Sequence, residues 1–90
     1  FKNKDVFILF THLLLLANWK ESKFEGIVIA RGQLVTSRKS LVKITGLSEQ
    51  TVRTCLTRLK STNEITINST RQGTIIQILN YSKYNENYLK

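Results

Sequence analysis

Cysteine, histidine and acid are scarce in this chain, and each shortage removes a class of chemistry. The one cysteine, Cys55, excludes an intramolecular disulfide framework and fits a reducing cytosol. The one histidine, His12, sits in an apolar stretch, and Cys55 falls on the apolar side of its own helical pattern. Both read as structural, and neither has a partner at the spacing that nucleophilic or metal chemistry needs. The six Asp and Glu are scattered and form no carboxylate pair, and no glycine loop of the phosphate-cradling kind is present. No catalytic residue, metal site or cofactor is therefore expected, and the chain does not read as an enzyme. Methionine is missing altogether. The chain starts at Phe1 and ends on a polar, Tyr-rich exit segment over 81–90, so both ends read as cuts and a domain excised from a longer protein is expected. The apolar run Val6–Ala17 is too short and too interrupted to span a membrane, and it has no cleavage site of a secretory leader. No membrane partner is expected.

What the chain has in excess is positive charge. Fourteen Lys and Arg against the six acids give +8 in 90 residues, which is room for one domain with a small core. A small domain this basic points to a polyanion, most often nucleic acid or an anionic surface, with plain solubility as the alternative.

Along the chain, Asp5 can cap a first helix in which Val6, Leu9, Phe10, Leu13, Leu16 and Ala17 form a stripe at helical spacing. Phe7, Ile8, Leu14 and Leu15 lie off that stripe and are apolar too. A helix apolar nearly all round is buried on more than one side, so a second partner is expected there, either another copy or a missing part of the protein. Residues 18–25 read as a connection. Ile27–Ile29 and Leu34–Thr36 read as short strands around a turn with Gly32. Ser37 caps a short helix with Leu41, Val42 and Ile44 as its apolar side, and Gly46 ends it. Ser48 caps the next helix, where Val52, Cys55, Leu56 and Leu59 recur at i, i+3, i+4 and i+7. After Lys60 the period drops to two, and residues 64–69 and 74–79 around a turn at 70–73 read as a β-hairpin. Tyr81, Tyr84 and Tyr88 read as a packed exit rather than a base-stacking platform.

The sequence thus predicts an α+β fold of the winged helix-turn-helix type: three helices, a β-hairpin wing and a short strand, in a single domain. In that unit two helices meet at a tight turn and the second enters a major groove. Leu41 and Ile44 are expected to face Val52 and Leu56, with Leu47 beneath the turn. The outward face of the second helix then carries Gln50, Thr54, Thr57 and Ser61, flanked by Arg53 and Arg58. Gln can pair with adenine, Arg with guanine, and the Thr methyl with thymine. Ser48 and Thr51 belong to the helix start, whose amides suit phosphate. Arg38, Lys39 and Lys43 are candidate phosphate anchors, and Arg71 at the hairpin tip can reach a minor groove or a phosphate. The expected partner is double-stranded DNA, with self-association into a dimer or higher oligomer through the first helix. A protein-interaction scaffold, or a transcriptional regulator with the same DNA chemistry, remains open.

Several strings also resemble a known family: ANWK at 17–20, RGQ at 31–33, LVTS at 34–37, GLSEQTVR at 46–53, NEIT at 63–66 and NYSKY at 80–84. Together they resemble the N-terminal winged-helix domain of phage and prophage replisome organisers, related to DnaD-type primosomal proteins. The resemblance covers nearly the whole chain. It implies origin recognition in DNA replication, in the cytoplasm of a bacterial host cell. It also implies self-association through the winged-helix region, and recruitment of a helicase or helicase loader through a C-terminal part that this sequence does not contain. Val42 departs from the family, whose members often carry Ala there.

Overall fold

The computed structural model describes residues 3–84; the expected tail beyond Tyr84, Tyr88 included, lies outside them. The fold is α+β. A first helix, α1 (Lys4–Leu16), leads to a small antiparallel pair, β1 (Ser22–Phe24) and β2 (Ile27–Ile29). Then come β3 (Gln33–Thr36), α2 (Arg38–Thr45), α3 (Glu49–Ser61), β4 (Ile65–Thr70), β5 (Gly73–Ile78) and a single turn, α4 (Tyr81–Tyr84). A second, three-stranded antiparallel sheet runs in the order β3-β5-β4. Among the described residues no helix is long and apolar enough to cross a membrane.

The core forms where α1, α2 and α3 meet the three-stranded sheet. Leu9 and Leu13 of α1, Leu41 of α2, Val52 and Leu59 of α3 and Ile76 of β5 are fully buried within it. In the sheet Ile65 sits opposite Ile78, and Ile67 opposite Ile76, so the period-two alternation turns one face of the hairpin inward.

Five expectations need correction. The connection at 18–25 contains a strand, β1, whose three residues are all exposed; without an apolar alternation there was no pattern to detect. The cap of α1 is Asn3, whose side-chain oxygen accepts from the amides of Asp5 and Val6 (2.8 and 3.3 Å); Asp5 stands in the first turn instead, where a carboxylate suits the helix dipole. The buried stripe of α1 takes Leu14 rather than Leu16, which is 46% exposed. Ile44 does not face α3. At about 100° per residue it lies some 60° off Leu41, and it is 44% exposed in an apolar cleft with Leu16 and Phe24. A fourth helix, α4, also adds to the three expected, and its Tyr81 is buried.

The turn before β3 leaves little freedom. Gly32 has φ +84°, and a Cβ built on it would meet Tyr81 Cβ at 2.8 Å. The turn is closed by Gln33 N–H donating to the Ala30 carbonyl (3.0 Å) and by Ala30 N–H donating to the Gln33 side chain (2.8 Å). Gly32→Ala combines backbone strain with overpacking and should cost about 2–4 kcal/mol. Gly46→Ala, at φ +76° with open space around it, should cost only about 1 kcal/mol. Thermal unfolding of the two variants checks the ranking; equal losses would mean that Tyr81 moves aside freely.

Candidate nucleic-acid interface

The junction of α2 and α3 is built by local hydrogen bonds. Ser37 caps α2, its hydroxyl oxygen accepting from Ser40 N–H (3.1 Å). Gly46, left-handed at φ 76°, ends the helix, and its N–H donates to the Val42 carbonyl. Thr45, which no sequence pattern singled out, closes the corner. Its hydroxyl donates to the Leu41 carbonyl (2.6 Å) and accepts from Leu47 N–H (3.2 Å). Leu47 packs partly buried against the core. Ser48 then caps α3, accepting from Thr51 N–H (3.1 Å) and donating to the Thr51 hydroxyl (2.8 Å). Ser48 and Thr51 are therefore occupied with each other, and their contribution to a ligand is to hold the start of α3 in place.

Val52, Cys55, Leu56 and Leu59 are all buried, which turns the rest of α3 outward. Gln50, Arg53, Thr54, Thr57 and Arg58 are exposed. The Thr57 hydroxyl donates to the Arg53 carbonyl (3.0 Å) and keeps its lone pairs and methyl for an outside partner. Arg53 lies 3.8 Å from Glu49, an exposed i,i+4 pair of the sort that contributes little to stability.

The tertiary structure adds what the sequence did not show. Arg38, at the start of α2, and Arg53 and Thr57, on α3, line one cleft of about 260 Å³ with Ser69 of β4 and Thr74 of β5. A neighbouring cleft of about 480 Å³ shares Arg38 and Thr74 and adds Lys39 and Glu49. Together they make a trough between helix α3, the start of α2 and the β4–β5 hairpin, lined also by the apolar Val42, Leu56 and Ile67. Ser69 and Thr74 carry no signal in the sequence, because no local pattern shows which hairpin residues approach α3. Lys43 is exposed in the last turn of α2. Arg71 is exposed in the two-residue turn between Thr70 and Gly73, and neither residue lines the trough.

No family model, curated protein or solved structure matches the chain. What the trough can do must be read from its own side chains. Over α2 and α3 the charges are Arg38, Lys39, Lys43, Arg53, Arg58 and Lys60 against Glu49 alone. Arg38 and Lys39 stand in the first turn of α2, which has no acid. Cations there oppose the helix dipole, at a cost of about 0.3–1 kcal/mol each. An anion lying across the trough would reverse that penalty.

The remaining candidates for chemistry are held inside the structure. His12 Nδ1–H donates to the Ile8 carbonyl one turn earlier (2.8 Å). Cys55 is buried; burial pushes its thiol up from the ordinary value, nearby Asp5 acts in the same direction and Arg58 opposes them. Among the described residues no group of three or more His, Cys, Asp or Glu is placed to hold a metal ion.

Proposed function

We propose that the chain is a winged helix-turn-helix domain that binds double-stranded DNA, with α3 in the major groove and the β4–β5 hairpin as the wing. The observation that carries the reading is the trough, in which the cations of α2 and α3 converge with hydroxyls from the hairpin. The exposed side chains of α3 then reach the base edges, where Gln50, Arg53, Thr54, Thr57 and Arg58 offer amide, guanidinium and methyl contacts. Arg38, Lys39 and Lys43 act on phosphates, and Arg71 supplies the wing contact. The proposed activity is binding without catalysis or cofactor. A place in phage or prophage replication, at an origin, follows from the family resemblance; the same DNA chemistry would serve a transcriptional regulator.

The test is fluorescence anisotropy of a labelled duplex, after selecting preferred sites from a random pool. Arg53→Ala should lose about 1–3 kcal/mol on the preferred site and less on random DNA. Lys39→Ala should weaken both alike. Equal losses on both DNAs for Arg53→Ala would make Arg53 a phosphate contact. Absence of binding at low salt would leave the protein-scaffold reading, which the exposed Phe7, Leu15, Trp19 and Val28 favour.

A further inference from the structure

The side of α2 turned away from the trough borders another cleft. With Leu41 buried in the core, Arg38 and Val42 lie about 60–100° round the helix in one direction, and Ser40 and Ile44 about 60–100° in the other. The second pair lines a cleft of about 380 Å³ with Leu16 of α1, Ile29 of β2 and residues of β1 and β3. Its apolar floor is unfinished. Ile29 is buried but stands outside the main core, and Leu16, Phe24 and Ile44 around it are half-exposed.

Residues 22–24 of β1 and 34–36 of β3 all line this cleft. Successive side chains of a strand point to opposite faces, so three in a row mean that each strand turns an edge to the cleft. The opposite edge of β3 is paired with β5. There the Gly32 carbonyl accepts from Ile78 N–H (2.8 Å), while the Gln33 carbonyl turns the other way and accepts from Asn18 N–H (2.9 Å). Asn18 belongs to the cleft lining. Main-chain groups in an antiparallel pair alternate between facing the partner and facing away. The N–H and carbonyl of Val35, two residues after Gln33, therefore point away from β5 and toward the cleft. No other backbone group among the described residues bonds to them. Asn18, whose side chain also donates to Ser22 Oγ (2.6 Å), closes the gap between β1 and β3 at one end and leaves the rest open.

An open strand edge over an apolar floor fits an extended peptide. Such a chain can pair with Val35 and lay alternate side chains on Ile29, Phe24 and Ile44. A small apolar molecule would cover the floor and leave the edge unpaired. Charge narrows the choice further. Lys23 is the only charged residue in the lining, and Lys43 projects about 60° round α2 from Ser40, beside the rim. Glu21 and Glu25 flank β1 but do not line the cleft. A peptide with a carboxylate beside its apolar residues meets these cations, whereas a basic peptide is repelled by them.

We infer that the β3 edge above this cleft takes up an extended segment of another protein, with apolar residues at alternate positions and an acid beside them. The segment adds as a strand next to Val35. This site stands whether or not the trough binds DNA. Because the two lie on different sides of α2, both can be filled at once.

The experiment starts from random nonapeptides displayed on phage and selected on the immobilised chain. They should converge on alternating apolar residues flanked by Asp or Glu. A selected peptide, labelled with fluorescein, is then the probe for anisotropy. Val35→Pro removes the outward N–H, keeps the Leu34–Ile76 pairing with β5 and should weaken binding about tenfold. Ile44→Glu should do the same, and Lys23→Glu should weaken it about threefold or more. Circular dichroism confirms that the variants fold. Methylating the peptide's backbone nitrogens one at a time leaves the protein untouched, and every second position should lose binding. Selection without a shared motif, or a motif that is basic, overturns the proposal. Binding that falls with Ile44→Glu but ignores both Val35→Pro and N-methylation means apolar docking without strand addition, and overturns it too. Displacement of the peptide by duplex DNA would put it in the trough instead. A chain that sediments as a dimer, with its Val35 amide already protected from hydrogen exchange and released by Ile44→Glu, would make a second copy the occupant and overturn the proposal.

Discussion

Raising monovalent salt from 50 to 200 mM should weaken duplex binding by about 250- to 1,000-fold, through counterion release. The size follows from the cations that the fold presents. Arg38 and Lys39 lie on the trough, Lys43 and Arg71 are exposed, and one guanidinium of α3 completes a set of about five. Five neutralised phosphates give a slope of log affinity against log salt of about −4 to −5. The check is an anisotropy titration at four or more salt concentrations. Removing Lys39 should lower the slope by about one, because one counterion fewer is released. A slope near −1 would mean that most of these cations face solvent and that the trough is not where the phosphates lie.

Leu13→Ala should cost about 2–5 kcal/mol, whereas Leu15→Ala, two residues further along the same helix, should stay within about 0.5 kcal/mol. Leu13 is fully buried and Leu15 is 64% exposed. In a domain of this size each kcal/mol lowers the melting temperature by about 4–8 °C, so the first variant should melt at least about 8 °C below the wild type and the second close to it. The pair of melts tests how α1 is turned. Similar losses in both would mean that the outer side of α1 is already covered in the native molecule, and a concentration-dependent melting temperature would then reveal by what.

The segment Ser37–Ser61 was legible because its signals reinforce one another. Caps at Ser37 and Ser48, a left-handed Gly46 and an unbroken i, i+3, i+4, i+7 pattern leave one way to turn α3. On α1 the phase was harder to read. With apolar residues nearly all round, Leu14 and Leu16 compete for the same inward sector, and only packing against the rest of the core picks Leu14. At its start Asn3 and Asp5 are both good capping residues, and geometry favours the earlier one. Ile44 shows the opposite case: a large aliphatic group in the apolar half of a short helix reads as core, but α2 is so short that Leu41 with Thr45 fills its inward side. The cations of the candidate interface could be picked out from helix faces alone. Their gathering into one trough with Ser69 and Thr74 depends on how β3 pairs with β5 and where the hairpin then lies, which no local pattern records.

The position of Cys55 makes the molecule its own gauge of breathing. This residue is 2% exposed in the core that α1 and α3 share, and burial favours the unreactive thiol form. A soluble alkylating reagent can label it only in those molecules where the two helices have parted. The labelling rate at fixed reagent therefore counts such molecules. A ligand gripping the outward side of α3 would slow that clock without touching the sulfur.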